Sequence, residues 1–440
     1  MISKDNKDLV KWAVKYALEK GCSDARVSVY SRQGNTFEYR DTQLDKLQQS
    51  SENGMNIQLF VDSRFGSYST NRLNKKELER YISNGVEATR FLAKDEFRKL
   101  PQPERYYKGD GKDLDTYDNN ADNMISVDDK LALIKDTTAE VYGSDQRLIS
   151  VTSEYNDGKS SSYTVASNGF EGESATTYFS LTAGVSMKGN GDERPSDYWF
   201  DSSVFWNDLQ KNGIGKTAYE RTVRKLGQEK IASGMFPMIL DNTMSARLLS
   251  PVLSALNGSN IQQKNSFLID KIGEQITSDK FTLIDDPHIP QARGARWFDG
   301  EGVATVKRTV IEKGVLRTYF IDTYSAAKMN VEPTVQSASV LICEHGDKNF
   351  DQLMALMNNG IWVTGFNGGN SNSTNGDFSF GIEGFLIENG KPVKAVNEMN
   401  ITGNLIVLWK NIIEIGNDPK FVSSNRIPSI VFDKVNFSGK

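Results

Sequence analysis

The chain has 440 residues, enough for two or three domains of ordinary size and for cores that need no disulfide or structural metal. Its 52 Lys and Arg against 57 Asp and Glu leave a net charge of −5, which argues against broad binding to a nucleic-acid backbone. No run approaches ~18 apolar residues, so no membrane span is expected. The opening Met1-Ile2-Ser3-Lys4-Asp5-Asn6-Lys7 has no apolar leader core, Cys22 and Cys343 make no disulfide framework, and a cytoplasmic protein is the expectation.

Leu9, Val10, Ala13, Val14, Ala17 and Leu18 recur at helical spacing, with Asp5 or Ser3 as cap and Gly21 as stop. Alternation then predicts strands at Ala25–Tyr30, Thr36–Tyr39 and Asn56–Val61. Leu78, Tyr81, Ile82, Val86 and Phe91 predict a second amphipathic helix. Residues 1–100 therefore read as an α-β-β-β-α unit. Residues 101–125 read as a solvated linker, and the spacing of Asp113, Asp115, Asp118 and Asp122 fails a calcium loop. Residues 126–232 read as a mixed α+β unit: a helix over 127–142, strands over 147–187, a helix over 217–231. Residues 233–440 read as a larger β-rich unit, opened by a strand at 235–240 and a helix at 244–256. The fold class expected is α+β.

Some motifs invite chemistry and fail on inspection. Gly213-Ile214-Gly215-Lys216-Thr217 has the tail of a phosphate-binding loop, but Gln210 stands where the first glycine is needed, so an ordinary helix start is favoured. No G-x-S-x-G elbow occurs. The histidines are His288 and His345. Cys343 and His345 would share a face if they sat on one strand, and a zinc site or an enzyme using Cys343, Glu344 and His345 is conceivable. Too few further soft ligands exist, and a buried cysteine beside a surface histidine is favoured. The Gly/Asn/Ser-rich stretch between Gly360 and Glu383 is either a solvated hairpin or a backbone that approaches a ligand.

Segments of the last third resemble the TldD/PmbA family, a two-component metallopeptidase. They include Phe267-Leu268-Ile269-Asp270-Lys271-Ile272-Gly273-Glu274, Phe298-Asp299-Gly300-Glu301-Gly302-Val303, Asn375-Gly376-Asp377-Phe378-Ser379 and Ile401-Thr402-Gly403-Asn404-Leu405. The match in order and spacing runs over about 200 residues. The resemblance implies two sister types. One carries a helical H-E-x-x-x-H motif and a later cysteine that bind zinc. The other, TldE or PmbA, is its non-catalytic partner. Here the corresponding window is Ala246–Gly258, with Leu249 or Ser250 at the first ligand position and Ser254 or Ala255 at the second. It contains neither histidine nor glutamate. The resemblance therefore implies no catalytic residue, metal or cofactor in this chain, which is expected to be inactive alone. Zinc is expected in a TldD-type partner, and small or unfolded peptides are the expected substrates. The family's label as a modulator of DNA gyrase finds no support as nucleic-acid binding in the acidic net charge. By glycine chemistry and family position, Gly365, Gly368, Gly369, Asn375, Gly376 and Asp377 are the expected substrate-binding residues. The alternative is a stand-alone homodimer that binds peptides without cleaving them.

Overall fold

The Ser3 side chain accepts a hydrogen bond from the Asn6 amide and starts α1 (Lys4–Glu19), which buries Val10, Ala13, Val14 and Ala17. In the computed structural model, β1 (Asp24–Arg40) is one strand where alternation predicts two. Its polar middle, Ser31 to Asn35, is held by ladders on both sides, from β2 (Gln43–Val61) and from β4 (Leu148–Ala166). A third strand, β3 (Arg64–Thr70), hairpins back on β2 and is followed by α2 (Lys75–Arg90), capped by Asn74. Phe91 does not join the apolar face of α2. It is the C-cap residue and lies exposed.

The structure describes residues 1–109, 111–121 and 125–440; Asp122 of the acidic segment lies outside them. The rest of that segment corrects the expectation of a solvated linker. Tyr106, Leu114 and Asp118 are buried. Tyr106 bridges to Val303, and Thr116 Oγ1 donates to the Ala175 carbonyl at 2.9 Å. The Asp118 carboxylate accepts from the Asn120 amide at 3.0 Å and the Trp206 amide at 3.2 Å, so it is spent on shaping the chain.

A capping box between Ser126 and Asp129 starts α3 (Val127–Ala139). With β5 (Glu171–Met187) and β6 (Ser196–Ser203), the strands form one antiparallel sheet in the order β3-β2-β1-β4-β5-β6. The first two sequence units thus share a sheet, through fifteen residue pairs between β1 and β4. α1 and α2 cover one half of it. α3 and α4 (Ile214–Arg224) cover the other.

α4 begins and ends earlier than periodicity predicts. Gly213, in the left-handed region at φ 78°, caps it. A Cβ on Gly215 would come within 2.3 Å of the Thr137 carbonyl, so that glycine lets α4 approach the end of α3. The Glu140 carboxylate accepts from the amides of Gly213 and Lys216 at 2.7 and 3.0 Å. It occupies the donors a phosphate would need, and the P-loop-like stretch is a capped helix start.

The last unit opens with β7 (Gly234–Leu240), α5 (Asn242–Ala255) and α6 (Gly258–Gln262). A small sheet is built from β8 (Leu283–Asp285), β9 (Arg308–Glu312), β10 (Val315–Leu316), β11 (Leu341–Cys343) and β16 (Asn425–Arg426), in the order β10-β9-β8-β11-β16. Two helices, α7 (Thr323–Met329) and α8 (Phe350–Met357), flank β11 in sequence. The larger sheet is β14-β13-β12-β7-β17-β15, from β12 (Gly360–Ser371), β13 (Asp377–Glu388), β14 (Lys391–Asn404), β15 (Ile412–Ile415) and β17 (Ile430–Ser438). The core between the two sheets centres on Trp409 of α9 (Leu405–Lys410), whose ring lies 5.0 Å from Phe281 and 5.7 Å from Phe432. The architecture is α+β throughout. Among the described residues no helix is long and apolar enough to cross a membrane.

Candidate functional site

Asp241 starts α5 by accepting from the amide and hydroxyl of Thr243, at 3.0 and 2.6 Å, and from the Trp362 indole at 3.2 Å. The helix buries Met244, Ser245, Leu248, Leu249, Val252 and Ala255 against the larger sheet. Pro251 removes one backbone donor inside it. On the opposite face Ser250 and Ser254 are exposed. The window expected to hold metal ligands in the sister type therefore turns two short hydroxyls outward.

Those hydroxyls line an open groove of about 560 Å³. Its far wall is Ser337 to Ser339, and Ser424 and Asn425 close one end. Asn257, Ser259 and Asn260, around the start of α6, close the other. Leu253, Phe320 and Leu341 supply its apolar surface. Among the described residues no charged side chain lines it. Arg296 holds the far wall from behind, donating to Ser339 Oγ at 2.9 Å and to the Ser337 and Ala338 carbonyls. Buried Asp285 accepts from the Ser339 amide at 2.8 Å, and its burial pushes its carboxyl pKa up. Hydroxyls and amides without charge suit a neutral polar ligand such as an extended backbone. β16 is also the edge strand of the small sheet, where a further strand has ladder groups to bind.

The six glycine-loop residues fall into two groups. Asn375, Gly376 and Asp377 come together at the turn between β12 and β13. Asn375 Nδ2 donates to Asp377 at 2.8 Å, and Asn404 Nδ2 donates to the Asn375 carbonyl and to Asp377. Gly376, at φ 82°, packs on Phe267. Gly365, Gly368 and Gly369 lie back along β12, where the ladder to β13 is irregular. A Cβ on Gly369 would meet the Ser379 carbonyl at 2.2 Å. None of the six lines the groove. The turn is tied to it through Asn265, which accepts from Ser373 and Thr374 and donates its amide to the Asn260 carbonyl.

The possible ligands of a soft-metal site are scattered. β11 ends at Cys343, so strand alternation does not carry on to His345. Cys343 is buried, donates weakly to the Glu344 carbonyl, and has its thiol pKa pushed far up by burial. Glu344 and His345 are exposed. The His288 ring lies tilted against Trp297, centroids 4.0 Å apart, and sits 3.2 Å from Thr305 Oγ1, with burial pulling its pKa down. Cys22 belongs to the core under α1. The α5 window with Leu249, Ser250, Ser254 and Ala255 does not fit zinc. Among the described residues no group of three or more His, Cys, Asp or Glu is placed to hold a metal ion.

Sequence reasoning named the α5 serines but not the far wall, which comes from a segment more than 80 residues further along the chain with no motif of its own.

Models of the PmbA/TldA metallopeptidase match the chain in three consecutive pieces: domain 1 over residues 25–89, the central domain over 121–226 and the C-terminal domain over 233–439. The metalloprotease PmbA of Escherichia coli O157:H7 is 28% identical over 444 residues, 98% of this chain and 96% of that one. A crystal structure of a proposed modulator of DNA gyrase from Bacteroides thetaiotaomicron superposes with a TM-score of 0.97 at 55% identity, covering all of both chains. The TldE structure from Thermococcus kodakarensis shares the fold, with a TM-score of 0.88 at 20% identity, over 98% of this chain and 100% of that one. With all three domains matched in order, the chain belongs to the PmbA/TldD metallopeptidase family.

Proposed function

We propose that the chain is the TldE-type, non-catalytic subunit of a heterodimeric zinc peptidase that acts on small or unfolded peptides. The observation that carries this reading is the α5 face. Where a catalytic chain needs two imidazoles and a carboxylate, this one presents Ser250 and Ser254 to a neutral groove. In this reading zinc resides in the TldD-type partner and supplies an activated water there. This chain's groove holds extended peptide by hydroxyl and amide contacts, and the β12–β13 hairpin, with Gly365, Gly368 and Gly369 on β12 and Asn375, Gly376 and Asp377 at its turn, borders the path. Similarity to the E. coli metalloprotease PmbA supports the peptidase context.

A feature of β2 favours pairing with another chain. Among the described residues, 43–54 pair with β1 on one side and with no strand on the other, since β3 begins its ladder at Met55. Such an edge can accept a partner's strand. A second copy is the alternative occupant, and then the chain is a homodimeric peptide-binding module.

The test is hydrolysis of a casein-derived peptide pool by this chain, by a TldD-type sibling, and by the two mixed, with zinc. Activity only in the mixture, lost to a chelator, is the expected result. Activity from this chain alone overturns the proposal. No activity in the mixture, with a sibling active beside its own natural partner, favours the binding module.

A further inference from the structure

A second cavity, of about 350 Å³, lies between the N-terminal sheet and the C-terminal unit. It is at the small end of small-molecule pockets and sits where such pockets favour forming, between domains. Arg26 of β1 enters from one side and Glu301 from the other. Both are half-buried, and burial pulls the Arg26 pKa down and pushes the Glu301 pKa up. Yet they do not pair. Among the described residues no carboxylate lies within 4.0 Å of the Arg26 guanidinium, whose hydrogen-bond partner is the Gly300 carbonyl. Glu301 uses one oxygen, Oε2, to accept from the Thr323 amide at 3.0 Å and its hydroxyl at 2.9 Å. Among the described residues its Oε1 accepts nothing.

Two opposite charges that share a cavity without touching carry a desolvation cost that a ligand can offset. Arg26 offers a fork for a carboxylate, and Glu301 Oε1 an acceptor for an ammonium. Asp322, Arg98 and Lys99 also line the cavity; the Asp322 carboxylate caps α7 through the Ser325 amide and hydroxyl, and the Arg98 guanidinium lies over the Tyr324 ring, 3.5 Å from its centroid. Phe60, Phe65 and Leu100 form an apolar wall on the sheet side. Ser259 lines both this cavity and the groove beside α5, so the two flank one residue.

We propose that this cavity binds a small zwitterion of the amino-acid type, a free amino acid or a dipeptide, its carboxylate on Arg26 and its ammonium on Glu301. The arrangement of charges stands by itself. The choice of a peptide-derived zwitterion rests on the function proposed above, whose products would be such molecules.

The test is calorimetric titration of the isolated full chain with leucine, Ala-Leu, Ala-Leu amide and N-acetyl-Ala-Leu. Saturable binding of leucine or Ala-Leu is expected, weakened at least about tenfold by amidation and by acetylation. Which of the two parents binds more tightly tells amino acid from dipeptide. Arg26→Gln should bind acid and amide equally, Glu301→Gln should bind free and acetylated amine equally, and both should melt near the wild type. Equal wild-type affinity for charged and blocked forms overturns the proposal. So does the absence of saturable binding up to about 10 mM. The titration needs no sibling, so its failure is distinct from failure of the mixed peptidase assay.

Discussion

The Nζ of Lys225 lies 2.6 Å from Oε1 of Glu383, and this contact ties the middle unit to the larger C-terminal sheet. Lys225 follows the last turn of α4 and is buried; its ammonium also reaches Asp197, at 3.1 Å, which Arg221 shares at 3.2 Å. Glu383 is seated on β13 opposite Gly365 of β12, where a Cβ would come within 2.3 Å of that same Oε1. The absent side chain at Gly365 leaves space for the carboxylate. One glycine of the expected substrate loop thus has a structural reason to be glycine.

Removing one partner of a buried pair leaves the other charge stranded. Lys225→Met should therefore destabilise the protein by about 3–5 kcal/mol in chemical denaturation. The double variant Lys225→Met/Glu383→Gln should lose less than the two single changes added together, because neither charge is then left alone. Additive losses would mean that the pair is not coupled.

The groove beside α5 should be sensitive to bulk and insensitive in stability. Ser254 is exposed, so Ser254→Trp costs the fold little, within about 0.5 kcal/mol. It fills space between α5 and the Ser337–Ser339 wall. Peptide hydrolysis by the mixture with a TldD-type sibling should fall at least about tenfold, with assembly and melting temperature unchanged. Full activity in Ser254→Trp would place the peptide path elsewhere.

Both thiols should be silent in the native protein. Burial pushes Cys22 up to about 11, against an opposing pull from Arg90, and raises Cys343 further. At pH 8 roughly a thousandth of Cys22 is thiolate, the reactive form. Ellman's reagent should label neither within minutes and both once the chain is unfolded. Because these pKa values are raised, the stability they contribute is complete below about pH 9. It falls as pH climbs toward 11, where the unfolded thiols ionise and the folded ones stay protonated. Rapid native labelling of Cys343 would instead reopen a role for it beside His345.

Local signals were legible in the sequence where one element decides its own structure. The cap and apolar stripe of α1 gave its place, and the missing imidazoles on α5 were visible without coordinates. Features set by distant partners were not. Ser31 to Asn35 reads as a break because its residues are polar, and only the ladders from β2 and β4 make it strand. Residues 101–121 read as solvated because Tyr106, Leu114 and Asp118 are separated by polar residues, while each is buried against a different distant segment. The groove's far wall and the unpaired Arg26 and Glu301 belong to the same class. No periodicity announces a cavity assembled from several loops.

The edge of β2 should govern assembly without governing the fold. Pairing with β1 matches Tyr39 to Leu44, then Glu38 to Lys46 and Phe37 to Leu47, so Asp45 is the extra residue of a bulge. Without it Leu44 and Leu47 would point to opposite faces. With it both lie on the face of Phe37 and Tyr39, the face that α3 and α4 cover further along the sheet. Both leucines are only half covered: they stand 45% and 50% exposed on a strand that, among the described residues, has one unpaired side. A partner strand added there would extend both the ladder and the apolar face, and in the proposed function that partner is the TldD-type sibling. Leu44→Lys with Leu47→Lys should leave the melting temperature of the isolated chain within a few degrees, since both side chains are already about half exposed and a lysine stem keeps part of the apolar contact. The same pair of charges should weaken association with the sibling by at least about tenfold in analytical ultracentrifugation. Unchanged association would remove this edge from the heterodimer, and loss of a dimer of this chain alone would assign it to a second copy instead.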